Sequence, residues 1–209
     1  YHPLWHNAVL WDTLNLSYWS VVFTFEATEP EPWVSTTPGN SAKFGHNSVR
    51  SPGALDALGI MMTTTKYTKE NMFPRTGHWT LNEAILGASY ATADNLPPRI
   101  SQIQFSWRAP SLDIQDQILE VLVRNAQHSA AVANCEVSMR WVTKTRPGLP
   151  NHVVSTAVYD SLSELGPPVF DREVYEFAAK LERELGVEVS DEPFLPEVTS
   201  LRSPTETES

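Results

Sequence analysis

Six histidines (His2, His6, His46, His78, His128 and His152) and a lysine in a polar loop, Lys43, are the side chains whose chemistry first suggests a function. His2 and His6 are four apart, a spacing that would place two metal ligands on one helical face. Pro3 works against that, because the residue before a proline avoids helical backbone. His46 shares with Lys43 the loop that opens GNSAKFGHNSVRSPGALDAL (residues 39–58), where a lone histidine reads as surface decoration. His128 falls near the polar side of a helical pattern and reads as solvated. His78 differs from these: it is expected to share a strand face with Thr80 and Asn82, beside a strand whose own polar face carries Arg108. Either the two converge on one open sheet surface, or they mark only its wet side.

No complete catalytic motif accompanies these residues. The sequence has no GxGxxG or GxxxxGK phosphate loop, no GxSxG elbow, no HExxH, no HxD and no adjacent glutamate pair. The single cysteine, Cys135, cannot build an internal disulfide framework; it sits in an alternating pattern and reads as an inert core thiol in a reducing compartment. The formal net charge is −10, and the end of the chain is strongly acidic, with Glu188, Asp191, Glu192, Glu197, Glu206 and Glu208 against Arg202. No stripe of lysine and arginine is available to neutralise phosphates, so nucleic acid is not an expected partner. No apolar run approaches the roughly 20 residues that cross a bilayer, and the amino end lacks the layout of a signal peptide. A cytoplasmic location without membrane contact is expected. Because the chain starts at Tyr1, it is also expected to be a piece of something longer.

These side chains must be held by elements that hydrophobic periodicity predicts. Val21, Phe23 and Phe25 alternate through a first strand at about 19–26. A Pro/Ser/Thr-dense loop follows. Ala54, Leu55, Leu58, Met61 and Met62 recur at helical spacing behind Ser51 and Pro52, read as cap and first-turn proline, with the helix fraying by Asn71. A second strand in GHWTLNEAIL turns Trp79, Leu81 and Ile85 inward. The third, ISQIQFSWR, sets Ile103, Phe105 and Trp107 against Gln102, Gln104, Ser106 and Arg108, and stops at Pro110. A helix from about Ser111 to Val132 leads to a fourth strand with Cys135, Val137, Met139 and Trp141 inward. Further helices are predicted at 151–165 and 171–185. Strand, helix, strand, strand, helix, strand predicts an α/β (α+β) two-layer sandwich: a four-stranded antiparallel sheet with two helices on one face.

Several short segments together resemble one family. Gly39-Asn-Ser-Ala followed by Ala54-Leu-Asp-Ala is similar to the Gly-x-Ser-Ala-His... Ala-Leu-Asp-Ala signature in the lid, or dimerisation, domain of the dinuclear-metal amidohydrolases and carboxypeptidases. The nearest resemblance is to the aminobenzoyl-glutamate utilization protein B branch. Tyr1-His-Pro with Asn7, Asp94-Asn-Leu-Pro-Pro, Arg108-Ala-Pro-Ser, Leu149-Pro-Asn-His-Val and Gly166-Pro-Pro follow in the order that branch has them.

The element order bounds the sandwich at about 19–146, and the Pro/Ser/Thr/Glu composition of 188–209 reads as a disordered acidic tail; the resemblance implies that 19–146 is the lid, with a remnant of a catalytic domain at 1–18 and a helical return toward it at 147–187. It implies amide hydrolysis of N-acyl amino acids, aminobenzoyl-glutamate-like amides or small peptides. In the complete enzyme, zinc or manganese would activate water and a glutamate would act as general base. His2 would be a metal ligand; His78, Asn95 and Arg108 would be polar groups of the lid facing substrate, in a homodimer paired through that lid. Lys43 stands where the family has the lid histidine, and an insertion at about 27–38 precedes it. The remaining ligands are not in this sequence, so the chain alone is expected to hold no metal stably. The other readings are a non-catalytic interaction module that dimerises through a sheet edge or helix, and an inactive remnant of the family.

Overall fold

The computed structural model describes residue 9 and residues 15–28, 52–89 and 98–201. Its contacts divide into two compact units, residues 15–148 and a second made of 1–14 with 149–209. The first unit contains the strands β1 (Ser17–Ala27), β2 (Thr80–Ala88), β3 (Ile100–Ala109) and β4 (Cys135–Lys144), with the helices α1 (Ala54–Asn71) and α2 (Leu112–Val132). The strands form one antiparallel sheet in the order β2-β3-β1-β4. This is the four-stranded α+β sandwich that the periodicity predicts.

Alternation decides which face is covered. Trp19, Val21, Phe23 and Phe25 of β1 and Ile103, Phe105 and Trp107 of β3 are all at most 1% exposed. They meet Ala57, Leu58 and Met61 of α1 and Ile118, Leu122 and Ala126 of α2 in one cluster. Fully burying a large apolar side chain is worth about 1.5–3 kcal/mol, so these central strands hold most of the stabilising area. Edge-to-face pairs fix the ring packing: Trp19 lies 6.1 Å from Trp107 and 5.3 Å from Trp141.

The helix starts are specified locally. Ser111 caps α2, its side chain accepting from the Ile114 N–H. Ser111 is itself extended, which turns its hydroxyl onto the first turn of the helix. In α1 the capping residue is Gly53, later in the chain than the predicted cap, and its N–H donates to the Asp56 carboxylate at 2.8 Å. Pro52 therefore precedes the helix instead of occupying its first turn, and Ser51 lies outside the described residues. Between the helices, Asn125 of α2 donates to the hydroxyls of Thr65 and Thr68 on α1, satisfying a buried amide. Gln115 ties α2 to the start of β1 by donating to the Ser17 carbonyl at 2.8 Å.

Two expectations about β2 change. The strand begins at Thr80, so His78 precedes it. Ile85, expected inside, is 56% exposed although it pairs with the buried Ile103. The cause is strand order: β2 is an outer strand, whereas the helices pack chiefly over β1, β3 and β4.

In the second unit, α3 (His152–Leu165) is capped by Asn151 and α4 (Arg172–Glu184) by Asp171. Phe194 packs against Phe170 and Tyr175, so side-chain contacts continue past residue 188.

Candidate functional site on the polar sheet face

Opposite the helix layer, the antiparallel register lines up polar side chains from three strands. Thr80 pairs with Arg108 and Arg108 with Tyr18 in one cross-strand row. The Arg108 guanidinium lies 4.7 Å from the Tyr18 ring centroid, within cation–π range, and remains exposed. Stacking orients the planar fork while leaving its N–H groups free to meet a carboxylate or a developing oxyanion.

Behind Arg108 a ladder of neutral groups is already satisfied. The Ser20 and Ser106 hydroxyls are 2.9 Å apart, Gln104 donates to Ser20 at 2.8 Å, and Gln102 donates to Thr24 at 2.9 Å. These bonds hold the row rigid. They leave Arg108 as the charged group of the row and give the face a polarity suited to a polar ligand.

His78 comes to the edge of this face through its loop. The preceding Gly77 has φ +82°, and a Cβ built there would stand 3.1 Å from the Ile114 methyl and 3.2 Å from Pro110. Glycine suits that turn, because a side chain there would be strained by the positive φ and would push on Ile114 and Pro110. Trp79 donates to the Pro74 carbonyl at 2.8 Å and packs edge-to-face on Phe73, pinning the other side of the loop. The loop is thus docked on Pro110, two residues beyond Arg108, with His78 exposed between its two anchors. Of the side chains that the resemblance picks out, His78 and Arg108 are brought to the same end of the sheet. Lys43, Asn95 and His2 lie outside the described residues, as do His6 and His46.

Tyr18 and the Ser20–Gln104–Ser106 ladder are not singled out by the sequence. Alternation along the first strand places Tyr18 and Ser20 on the polar side, but only the pairing register sets Tyr18 against Arg108. His128 lies exposed on α2, as its helical position predicts.

Cys135 is not a nucleophile poised on this face. Burial, with a smaller contribution from the Asp56 carboxylate, pushes its thiol up from the ordinary 9.0 to about 11. The thiolate, which is the reactive form, is therefore suppressed at neutral pH. Among the described residues no group of three or more His, Cys, Asp or Glu side chains could hold a metal ion. Likewise, no described helix is long and apolar enough to cross a membrane.

The fold class these observations define is a two-layer α+β sandwich carrying one preorganised polar sheet face. No protein-family model matches the chain. Among curated proteins it is similar to a p-aminobenzoyl-glutamate hydrolase subunit of Escherichia coli (strain K12), at 24% identity over 136 residues, covering 63% of this chain. The match takes in 27% of that relative, so the chain spans about a quarter of the relative's length. The resemblance to the aminobenzoyl-glutamate branch of the amidohydrolases, read from the short motifs, is therefore found by direct comparison as well. Solved structures overlay more loosely. A hydantoinase/carbamoylase-family amidase from Burkholderia vietnamiensis gives a TM-score of 0.49 at 12% identity, over 77% of this chain and 34% of its own. Another from Burkholderia multivorans gives 0.46 at 14% identity, over the same shares.

Proposed function

We propose that residues 19–146 are the lid of a metal-dependent amidohydrolase, and that the polar sheet face presents Arg108, with His78 beside it, to the carboxylate or carbonyl of an amide substrate. The observation that carries this reading is the 136-residue match to a protein named as a p-aminobenzoyl-glutamate hydrolase subunit. The exposed, Tyr18-stacked guanidinium supports it, because a preoriented cation next to a scissile amide stabilises negative charge as it develops.

On this reading the chain's own contribution is to bind and orient. Arg108 neutralises the substrate's acid group or the oxyanion, His78 donates or accepts one hydrogen bond at the sheet's end, and Lys43 supplies a second cation where the family has histidine. Zinc or manganese would supply an activated water in the complete enzyme. Among the described residues no donor set is assembled, and His2 is the ligand that the resemblance picks out in this chain. The lid would pair with a second copy.

A chimera tests the reading. The matching stretch of the Escherichia coli relative is replaced by that of this chain, and hydrolysis of p-aminobenzoyl-glutamate and N-acyl amino acids is followed in the presence of zinc or manganese. Metal-dependent hydrolysis above background is expected. A folded, metal-loaded chimera that hydrolyses none of these amides would leave the non-catalytic module as the better reading.

A further inference from the structure

Arg108 stands one pair from the end of the sheet. β1 begins at Ser17 and β3 stops at Ala109, and these two residues are partners, next to the pair of Tyr18 and Arg108. Pro110 follows, and it has no N–H with which to extend the ladder. A strand end of this kind frays unless other groups take up its backbone bonds. Here side chains do so. The Ser17 hydroxyl donates to the Ala109 carbonyl at 2.7 Å, and the Gln115 amide of α2 donates to the Ser17 carbonyl at 2.8 Å and to the Ser17 hydroxyl at 2.6 Å. Ser17, Ala109 and Gln115 are all fully buried.

Glutamine is an unusual residue for this place. It heads the inward row of α2 that Ile118, Leu122 and Ala126 continue, where an apolar side chain is the rule. Its own Oε1 is buried without a partner, and so is Nε1 of Trp107, the residue before Arg108. Buried polar atoms left unpaired are rare, because each forfeits its bonds to water. Both of these adjoin the row of Tyr18 and Arg108. Where local rules fail together at one place, that place is a candidate for retention by function.

We propose that Gln115 is a positioning residue for Arg108. It clamps the last pair of the ladder from the helix side and so fixes the backbone that carries Tyr18 and Arg108 on the opposite face. The 4.7 Å stacking of the guanidinium on the Tyr18 ring depends on that register. A misplacement of about 1 Å in a group that meets a reacting centre is enough to lower a rate by about 100-fold. Through Ser17, α2 therefore sets the aim of a cation on the far side of the sheet. The inference rests on the proposed function in taking Arg108 as the group that meets substrate, whereas the positioning itself is a property of this chain.

Two measurements on Gln115→Met, which fills a similar space without a donor, test the inference, with circular dichroism confirming the fold. In the chain itself, the Tyr18 ring current displaces the Arg108 side-chain proton resonances, and Tyr18→Leu gives their unstacked positions. Gln115→Met is expected to move them most of the way to the Tyr18→Leu values. Wild-type positions in the folded variant overturn the positioning role. Ser17→Ala, a smaller change that cuts the same relay, is read by the same criterion if Gln115→Met does not fold. In the chimera, Gln115→Met is expected to lower kcat/KM by about ten-fold, and to lower it no further once Arg108→Ala is present, because the two changes remove one effect. A further loss of about ten-fold in the Arg108→Ala background marks a merely structural role and overturns the inference. A chimera without any hydrolysis counts against the proposed function, and the Arg108 resonances then decide the positioning role alone.

Discussion

Cys135 and Lys43 show how differently single residues can be tested. The Cys135 thiol holds its proton to about 11 when folded and to about 9.0 in its ordinary state. A pKa raised by folding means that the neutral thiol's contribution to stability is present in full below pH 9 and is lost as pH rises from 9 toward 11. Iodoacetamide labelling at pH 9 should accordingly be much slower for the folded chain than for the chain in urea; equal rates would contradict the burial. Lys43 is reached through the resemblance alone. A flexible ammonium does not reproduce an imidazole's geometry, so Lys43→His in the active chimera should raise its turnover. No change would mean that this branch works without a lid histidine. The cation at residue 108 is legible from alternation, which places Arg108 on the polar side whatever its neighbours are. Its stacking on Tyr18 is not, because cross-strand register depends on pairing between residues some ninety positions apart.

At the scale of elements, two glycines make opposite predictions. Gly77 is held at positive φ against Ile114 and Pro110, so Gly77→Ala should cost about 1–3 kcal/mol in urea unfolding. The same change should also displace the loop that carries His78. Gly59 sits inside α1 with nothing within 4 Å of where a methyl group would stand, so Gly59→Ala should stabilise by about 0.5–1 kcal/mol through helix propensity. Stabilities that move in the same direction for both would contradict the packing described for one of them. The strands and helices themselves are largely readable, since Phe23, Ile103 and Ile118 recur at periods that local geometry imposes. The outer position of β2 is not readable: strand order is a long-range property, and it is what leaves Ile85 uncovered although it pairs with the buried Ile103. The start of α1 differs from its prediction for a local reason, because Asp56 reaches back to Gly53 and sets the cap later than Ser51 and Pro52 suggest.

For the molecule as a whole, the sheet unit and the helical unit carry different surfaces. In α3 and α4, Val153, Leu165 and Phe177 are between 65% and 84% exposed, on helices that are well capped. In the sequence they are visible only as apolar stripes without an assigned partner. In the proposed function the polar face around Arg108 meets an amide substrate. The most direct measurement is kcat/KM for Arg108→Ala and Arg108→Lys in the chimera. A fall of about 100-fold for alanine, with partial recovery by lysine, is expected of a cation that stabilises developing charge. Unchanged kcat/KM in both folded variants would contradict a role for Arg108 at the substrate.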